Sequence, residues 1–177
     1  MGCGCGAIPL VMRAHATPSG GYIGLDVDRR MIDWCNAHIA SDVFRFGHHD
    51  YWSATYNAGG QRFLAFAVDD GWADAIVMKS VFTHMLPDDV DWYLRETARV
   101  LAPGGKAILT AMLYDNIEDV RERFPHDGGV YRFERAESPE SSIALSRAWM
   151  DEHMDAAGLT YGYATGNRQG AMLVQHQ

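Results

Sequence analysis

Gly2-Cys3-Gly4-Cys5-Gly6, a helical run over residues 7–16 and then Tyr22-Ile23-Gly24-Leu25-Asp26 decide the fold of this chain. Glycine at every second position before a helix lets the backbone approach a ligand closely, and the helix start offers N–H groups with no intrahelical acceptor. Pro9 is tolerated because a first-turn N–H has no such partner anyway. Thr17-Pro18-Ser19-Gly20-Gly21 forces a turn, and residues 22–26 form a short buried strand. Asp26 lies 20 residues beyond Gly6, at the end of that strand, where a carboxylate can accept from both hydroxyls of a ribose.

Working outward, Met31, Trp34, Cys35, His38 and Ile39 recur at helical spacing, and residues 43–49 predict the next strand, ending at Asp50. Residues 51–62 have no clear period and predict a loop. A further strand is expected over residues 73–78. Pro87-Asp88-Asp89 opens a helix whose face is Val90, Tyr93, Leu94, Thr97, Ala98 and Leu101. Pro103-Gly104-Gly105 stops it, and residues 106–113, the longest apolar strand pattern, should lie centrally in a sheet. Residues 114–142 are polar and predict a lid over substrate. Ile143, Leu145, Trp149, Met150, His153 and Met154 predict a helix, stopped at Gly158 before a strand over 159–164. Strands alternating with helices predict an α/β fold with a mostly parallel, doubly wound sheet and helices on both faces, in one domain spanning residues 1–177.

Composition narrows the function. With 47% hydrophobic and 21% charged residues the chain can bury a core, which excludes disorder. A net charge of −8 without any basic run disfavours nucleic acid as substrate. No apolar stretch reaches the roughly 20 residues of a membrane span. Cys3, Cys5 and Cys35 are odd in number and no signal peptide precedes them, so a cytoplasmic location is expected. The one-residue spacing of Cys3 and Cys5 does not suit C-x-x-C redox chemistry, and small side chains filling a tight loop explain them better. His48-His49-Asp50 invites a metal reading, but adjacent strand residues point to opposite faces, and no metal is expected. The loop pattern G-x-G-x-G, with an acid where a 2′-phosphate would be repelled, disfavours a nicotinamide-dependent oxidoreductase.

Four stretches together, Gly2 to Gly6, Gly24-Leu25-Asp26-Val27-Asp28, Ser80-Val81-Phe82-Thr83-His84-Met85-Leu86 and Arg99-Val100-Leu101-Ala102-Pro103-Gly104-Gly105-Lys106, resemble the motifs of class I S-adenosylmethionine-dependent methyltransferases, small-molecule type, over residues 2–165. The resemblance implies a Rossmann-like fold and S-adenosylmethionine as cofactor. It implies that Gly2, Cys3, Gly4 and Gly6 line the methionine and ribose part, and that Asp26 holds the ribose hydroxyls. Asp50 would meet the adenine amino group, with Val27 and Tyr51 against the adenine faces. The competing readings are Asp50 as a turn cap, Tyr51 as core and Asp28 as a helix N-cap.

Ser80 and Val81 follow a strand directly and so sit at the carboxyl ends of the sheet, where ligands bind in open α/β folds, and they are expected to bind the cofactor. His84 is the candidate base toward an acceptor hydroxyl or amine, since the unperturbed imidazole pKa near ~6.5 allows proton uptake at neutral pH; packing is its alternative role. Methyl transfer needs no catalytic dyad, because positioning supplies much of the acceleration. The family's fold carries a strand before the glycine loop and ends in a two-strand hairpin, so the chain is expected to lack its first and its last strand. The expected activity is methyl transfer to an O, N or C nucleophile of a small-molecule acceptor. A non-catalytic domain binding nucleotide or protein is the alternative, and a homodimer stays open.

Overall fold

The computed structural model describes residues 1–15, 17–164 and 169–177. The first helix was expected to reach position 16, and the family resemblance position 165; both lie outside the described residues. The chain divides into two compact units, Met1–Leu64 and Ala65–Gln177.

In the first unit, α1 (Ala7–His15) leads to β1 (Tyr22–Asp26), α2 (Arg29–His38) and β2 (Phe44–His48). The two strands are parallel, with Tyr22 opposite Phe44 and Asp26 opposite His48. Asp28 caps α2, its carboxylate accepting from the Arg30 N–H at 2.9 Å and from the Arg30 guanidinium. That guanidinium, with the backbone N–H, holds the Asp28 carboxyl below the usual carboxylate range against the opposing effect of burial. The buried stripe of α2 and its cap is Ile32, Cys35 and Ile39. This corrects the expected face: Trp34 is 41% exposed and stacks on His38 with ring centroids 4.6 Å apart, so both spend their apolar area on each other outside the core.

The second unit begins with β3 (Ala73–Met78), α3 (Pro87–Val100) and β4 (Leu101–Ala111). It continues through β5 (Leu113–Tyr114), β6 (His126–Asp127), β7 (Tyr131–Phe133), β8 (Ile143–Ser146) and α4 (Arg147–Ala156) to β9 (Leu159–Ala164) and β10 (Gly170–His176). One sheet has the order β3-β4-β10-β9; β3 and β4 are parallel, and β10 is antiparallel to both its neighbours. Val90, Tyr93, Leu94 and Thr97 of α3 are completely buried, as are Ala107, Leu109 and Ala111 of β4 and Met172 and Val174 of β10. As expected, β4 is interior to its sheet. Its burial nevertheless alternates: Ile108 is 46% exposed opposite Leu173, 50% exposed.

Two expectations need correction. The last strand is present: β10 pairs along its length with β9 as an antiparallel hairpin, because Gly170, Met172 and Val174 turn inward at the period of two that a half-buried strand requires. Residues 143–146 are strand rather than helix. Ile143, Ala144 and Leu145 are all buried by a second sheet of order β5-β8-β7-β6, and Ser146 then caps α4 by accepting from the Trp149 N–H. Most of residues 114–142 belong to that folded insert. Met112, Tyr114, Phe124 and Ala144 form its core, and the buried Arg132 donates to the carbonyls of Phe124 (2.8 Å) and Pro125 (2.6 Å). None of the helices is long and apolar enough to cross a membrane among the described residues.

Candidate cofactor and acceptor site

The glycine loop is a built structure. Gly2, Gly4 and Gly6 have φ of 72°, 52° and 77°, the left-handed region that L side chains avoid. Cys3 N–H donates to Leu25 O of β1 at 3.1 Å, Gly6 N–H to Cys3 O at 3.0 Å, and Leu10 N–H to Gly6 O at 3.1 Å, joining strand, loop and helix. A Cβ on Gly6 would stand 2.3 Å from Ile39 Cδ1 and 3.4 Å from Cys35 Sγ. Gly6→Ala should therefore lower stability by about 1–2 kcal/mol for the left-handed backbone alone, and more for the displaced Ile39. Urea unfolding should show Ile39→Val restoring only the steric part.

Asp26, buried at 8% exposure, is the anchor of this loop. Its Oδ2 accepts from the Gly4 N–H at 2.8 Å and its Oδ1 from the Asp28 N–H at 2.9 Å. An ionised carboxylate has about four acceptor positions, so two remain for hydroxyl donors. The Cys3 and Cys35 thiols both donate to Gly4 O, at 3.6 and 3.3 Å. Burial, and then the Asp26 charge, push the Cys3 thiol up to about 12, and burial raises Cys35 as well. These are protonated structural thiols, whereas Cys5, the other cysteine of the loop, is exposed.

The other residues of the first unit are placed as follows. Val27 is half-buried, and its carbonyl accepts from His48 Nε2 at 3.0 Å. Tyr51 is buried to 4% exposure. Asn57, which carried no signal in the sequence, ties the turn together: its Nδ2 donates to Asp50 Oδ1 at 2.9 Å and to Tyr51 O at 3.1 Å. In the second unit Ser80 lies two residues beyond β3 with φ 57°, an unusual value for a residue other than glycine. Val81 is buried, and His84 closes a 3₁₀ turn, Phe82–His84, with its side chain exposed. That turn packs against β4, β8 and the 3₁₀ turn Pro139–Ser141, which puts it beside the insert.

Comparison with known proteins fits this geometry. The family model described as a methyltransferase domain matches residues 1–109, more than half of the chain. The chain belongs to the methyltransferase-domain family. S-adenosylmethionine is the cofactor of the class I methyltransferases to which this domain is assigned. An arsenite methyltransferase from Aquipseudomonas alcaligenes is 30% identical over 116 residues, covering 65% of the domain and 32% of that protein. The domain thus spans about a third of the length of this curated relative. Among solved structures, a SAM-dependent methyltransferase from Methanosarcina mazei superposes with a TM-score of 0.64 at 18% identity, covering 99% of the domain and 89% of that chain. LepI in complex with SAM gives 0.66 at 11% identity, covering 100% and 42%. At these identities the structural likeness establishes the Rossmann-like α/β fold.

Proposed function

We propose that this chain transfers the methyl group of S-adenosylmethionine to an O, N or C nucleophile of a small-molecule acceptor. The observation that carries the cofactor half is the Asp26 carboxylate, pinned between the Gly4 and Asp28 N–H groups with acceptor capacity to spare. The residues fit the group. Among the described residues only Met31 Sδ, at 3.9 Å, lies near the place a side chain on Gly4 would take, so the loop leaves backbone open to a ligand. S-adenosylmethionine supplies an electrophilic methyl on a sulfonium; the protein's part is to bind and orient. Gly2, Cys3, Gly4 and Gly6 line the loop, Asp26 accepts from ribose hydroxyls, and Val27, Asp50 and Tyr51 form the adenine side. Ser80 and Val81 are further cofactor-binding residues, and His84 takes the acceptor's proton.

One observation supports a small acceptor. The chain carries a net charge of −8, which suits neither nucleic acid nor an anionic membrane surface.

Titration calorimetry tests the reading. Binding of S-adenosylmethionine and S-adenosylhomocysteine with a rise in melting temperature is expected; no heat and no shift at millimolar cofactor would sink it. His84→Ala should leave that binding unchanged, because the exposed ring makes none of the loop's contacts, while turnover with a hydroxyl or amine acceptor falls by roughly 10²-fold, the lower end of a general base's contribution.

A further inference from the structure

At the carboxyl ends of β3 and β4, three side chains from three elements converge. Ser80 follows β3, Thr110 is the penultimate residue of β4, and Gln169 immediately precedes the antiparallel β10, whose first residue pairs with Ala111. Ser80 N–H donates to Thr110 Oγ1 at 2.7 Å, and Thr110 Oγ1 donates its proton to Gln169 Oε1 at 2.8 Å. Ser80 Oγ donates to the same Oε1 at 3.2 Å. The positive φ of Ser80 is thus held in place by Thr110, and such retained strain concentrates at functional sites.

The arrangement has a chemical direction. With both lone pairs of Oε1 taken by hydroxyl protons, the Gln169 amide is fixed in orientation. Its Nε2 offers two N–H donors for which no acceptor occurs among the described residues. All three residues are partly exposed, so a ligand can reach the group. No charged side chain takes part, which removes a cation or a phosphate as the natural occupant and leaves an sp² oxygen.

We propose that Ser80, Thr110 and Gln169 form an oxygen-binding clamp in which the Gln169 NH2 donates to a carbonyl or carboxylate oxygen of the acceptor, beside its nucleophilic atom. This rests on the methyltransferase reading, and it restricts acceptors to molecules that carry such an oxygen near the methylated position. A carboxylate also occurs in the cofactor, so the test separates the two sources.

The full chain, labelled with ¹⁵N and saturated with S-adenosylhomocysteine, is titrated with acetate and with N-methylacetamide. The Gln169 side-chain NH2 pair is identified by its disappearance in Gln169→Met. A saturable shift of that pair with both probes is expected. Thr110→Val, which frees the amide to rotate, should weaken the apparent affinity by about tenfold, the loss of one hydrogen bond. A shift on S-adenosylhomocysteine alone with none on the probes would assign the group to the cofactor and overturn the proposal; silence of the pair to everything would overturn it too. If S-adenosylhomocysteine changes no resonance of the chain, the methyltransferase reading fails separately, whatever the probes do to Gln169.

Discussion

Arg99→Met should lower the stability of the second unit by about 2–3 kcal/mol, the loss expected when a buried carboxylate loses charge-assisted hydrogen bonds to a partly exposed guanidinium. Glu96 is only 6% exposed. Its carboxylate accepts from Arg99 Nε and Nη2, both at 2.8 Å, and from the Phe66 N–H at 2.7 Å. The same guanidinium donates to the carbonyls of Phe66 and Val68, both at 3.0 Å, tying an irregular segment to α3. Its pair with Asp70, 82% exposed, adds little. Without Arg99 a desolvated carboxylate stands alone against one N–H donor and the Val68 carbonyl loses the guanidinium, while the Phe66 carbonyl keeps the Val68 N–H at 2.8 Å. A fall in melting temperature of roughly 10 °C follows.

The pH dependence has a definite sign. Burial alone would raise the Glu96 carboxyl, yet the Arg99 guanidinium and the Phe66 N–H together hold it below the ordinary value. A folded-state value below the unfolded one contributes stability that is present above the ordinary glutamate pKa of about 4.3 and is lost as pH falls through the folded value. In Arg99→Met burial is no longer opposed by the guanidinium, so this acid sensitivity should vanish from denaturant melts below pH 5. An Arg99→Met chain that unfolds at the wild-type urea midpoint would show that Glu96 finds water on losing its partner.

What could be read from the sequence follows from the range of the interactions. The α3 face emerged from spacing alone because Val90, Tyr93, Leu94 and Thr97 form one buried stripe, although the helix ends at Val100 and Leu101 already belongs to β4, ahead of the expected stop at Pro103. The α2 face was misassigned because a Trp34–His38 stack on the surface has the same i, i+4 spacing as a core pair. The insert was opaque for a different reason: its strands have two to four residues, too few for a period. Residues 143–145 satisfy helix and strand patterns alike until β7 and β5 lie on either side. Arg132 looks like a surface residue until the carbonyls of Phe124 and Pro125 enclose it. In the site, Asp26 was visible through its distance from the glycines. Gln169 was not, since its partners lie 59 and 89 residues away and polar side chains carry no periodic signal.

Asp26→Asn is expected to raise the dissociation constant of S-adenosylmethionine by roughly 10- to 100-fold, the equivalent of one charge-assisted hydrogen bond. The two oxygens of Asp26 each accept a backbone N–H, one from each side of the turn. Asparagine has one acceptor oxygen, so its NH2 must face the second N–H, donor against donor. The Asp28 N–H is two residues away and fixed by the start of α2, so the oxygen stays there and Gly4 is released. The Gly4 N–H reaches Asp26 across 22 residues of chain, and Cys3 N–H to Leu25 O is then the remaining backbone tie of the loop to β1 among the described residues. Asp28→Asn is the contrasting variant. Asparagine is a good N-cap, the Asp28 side chain donates nothing to the glycine loop, and the cofactor affinity should stay within about threefold, under one hydrogen bond's worth. Equal losses in the two variants would mean that the turn as a whole, rather than the Asp26 carboxylate, sets the loop; wild-type affinity in Asp26→Asn would confine that carboxylate to a structural role.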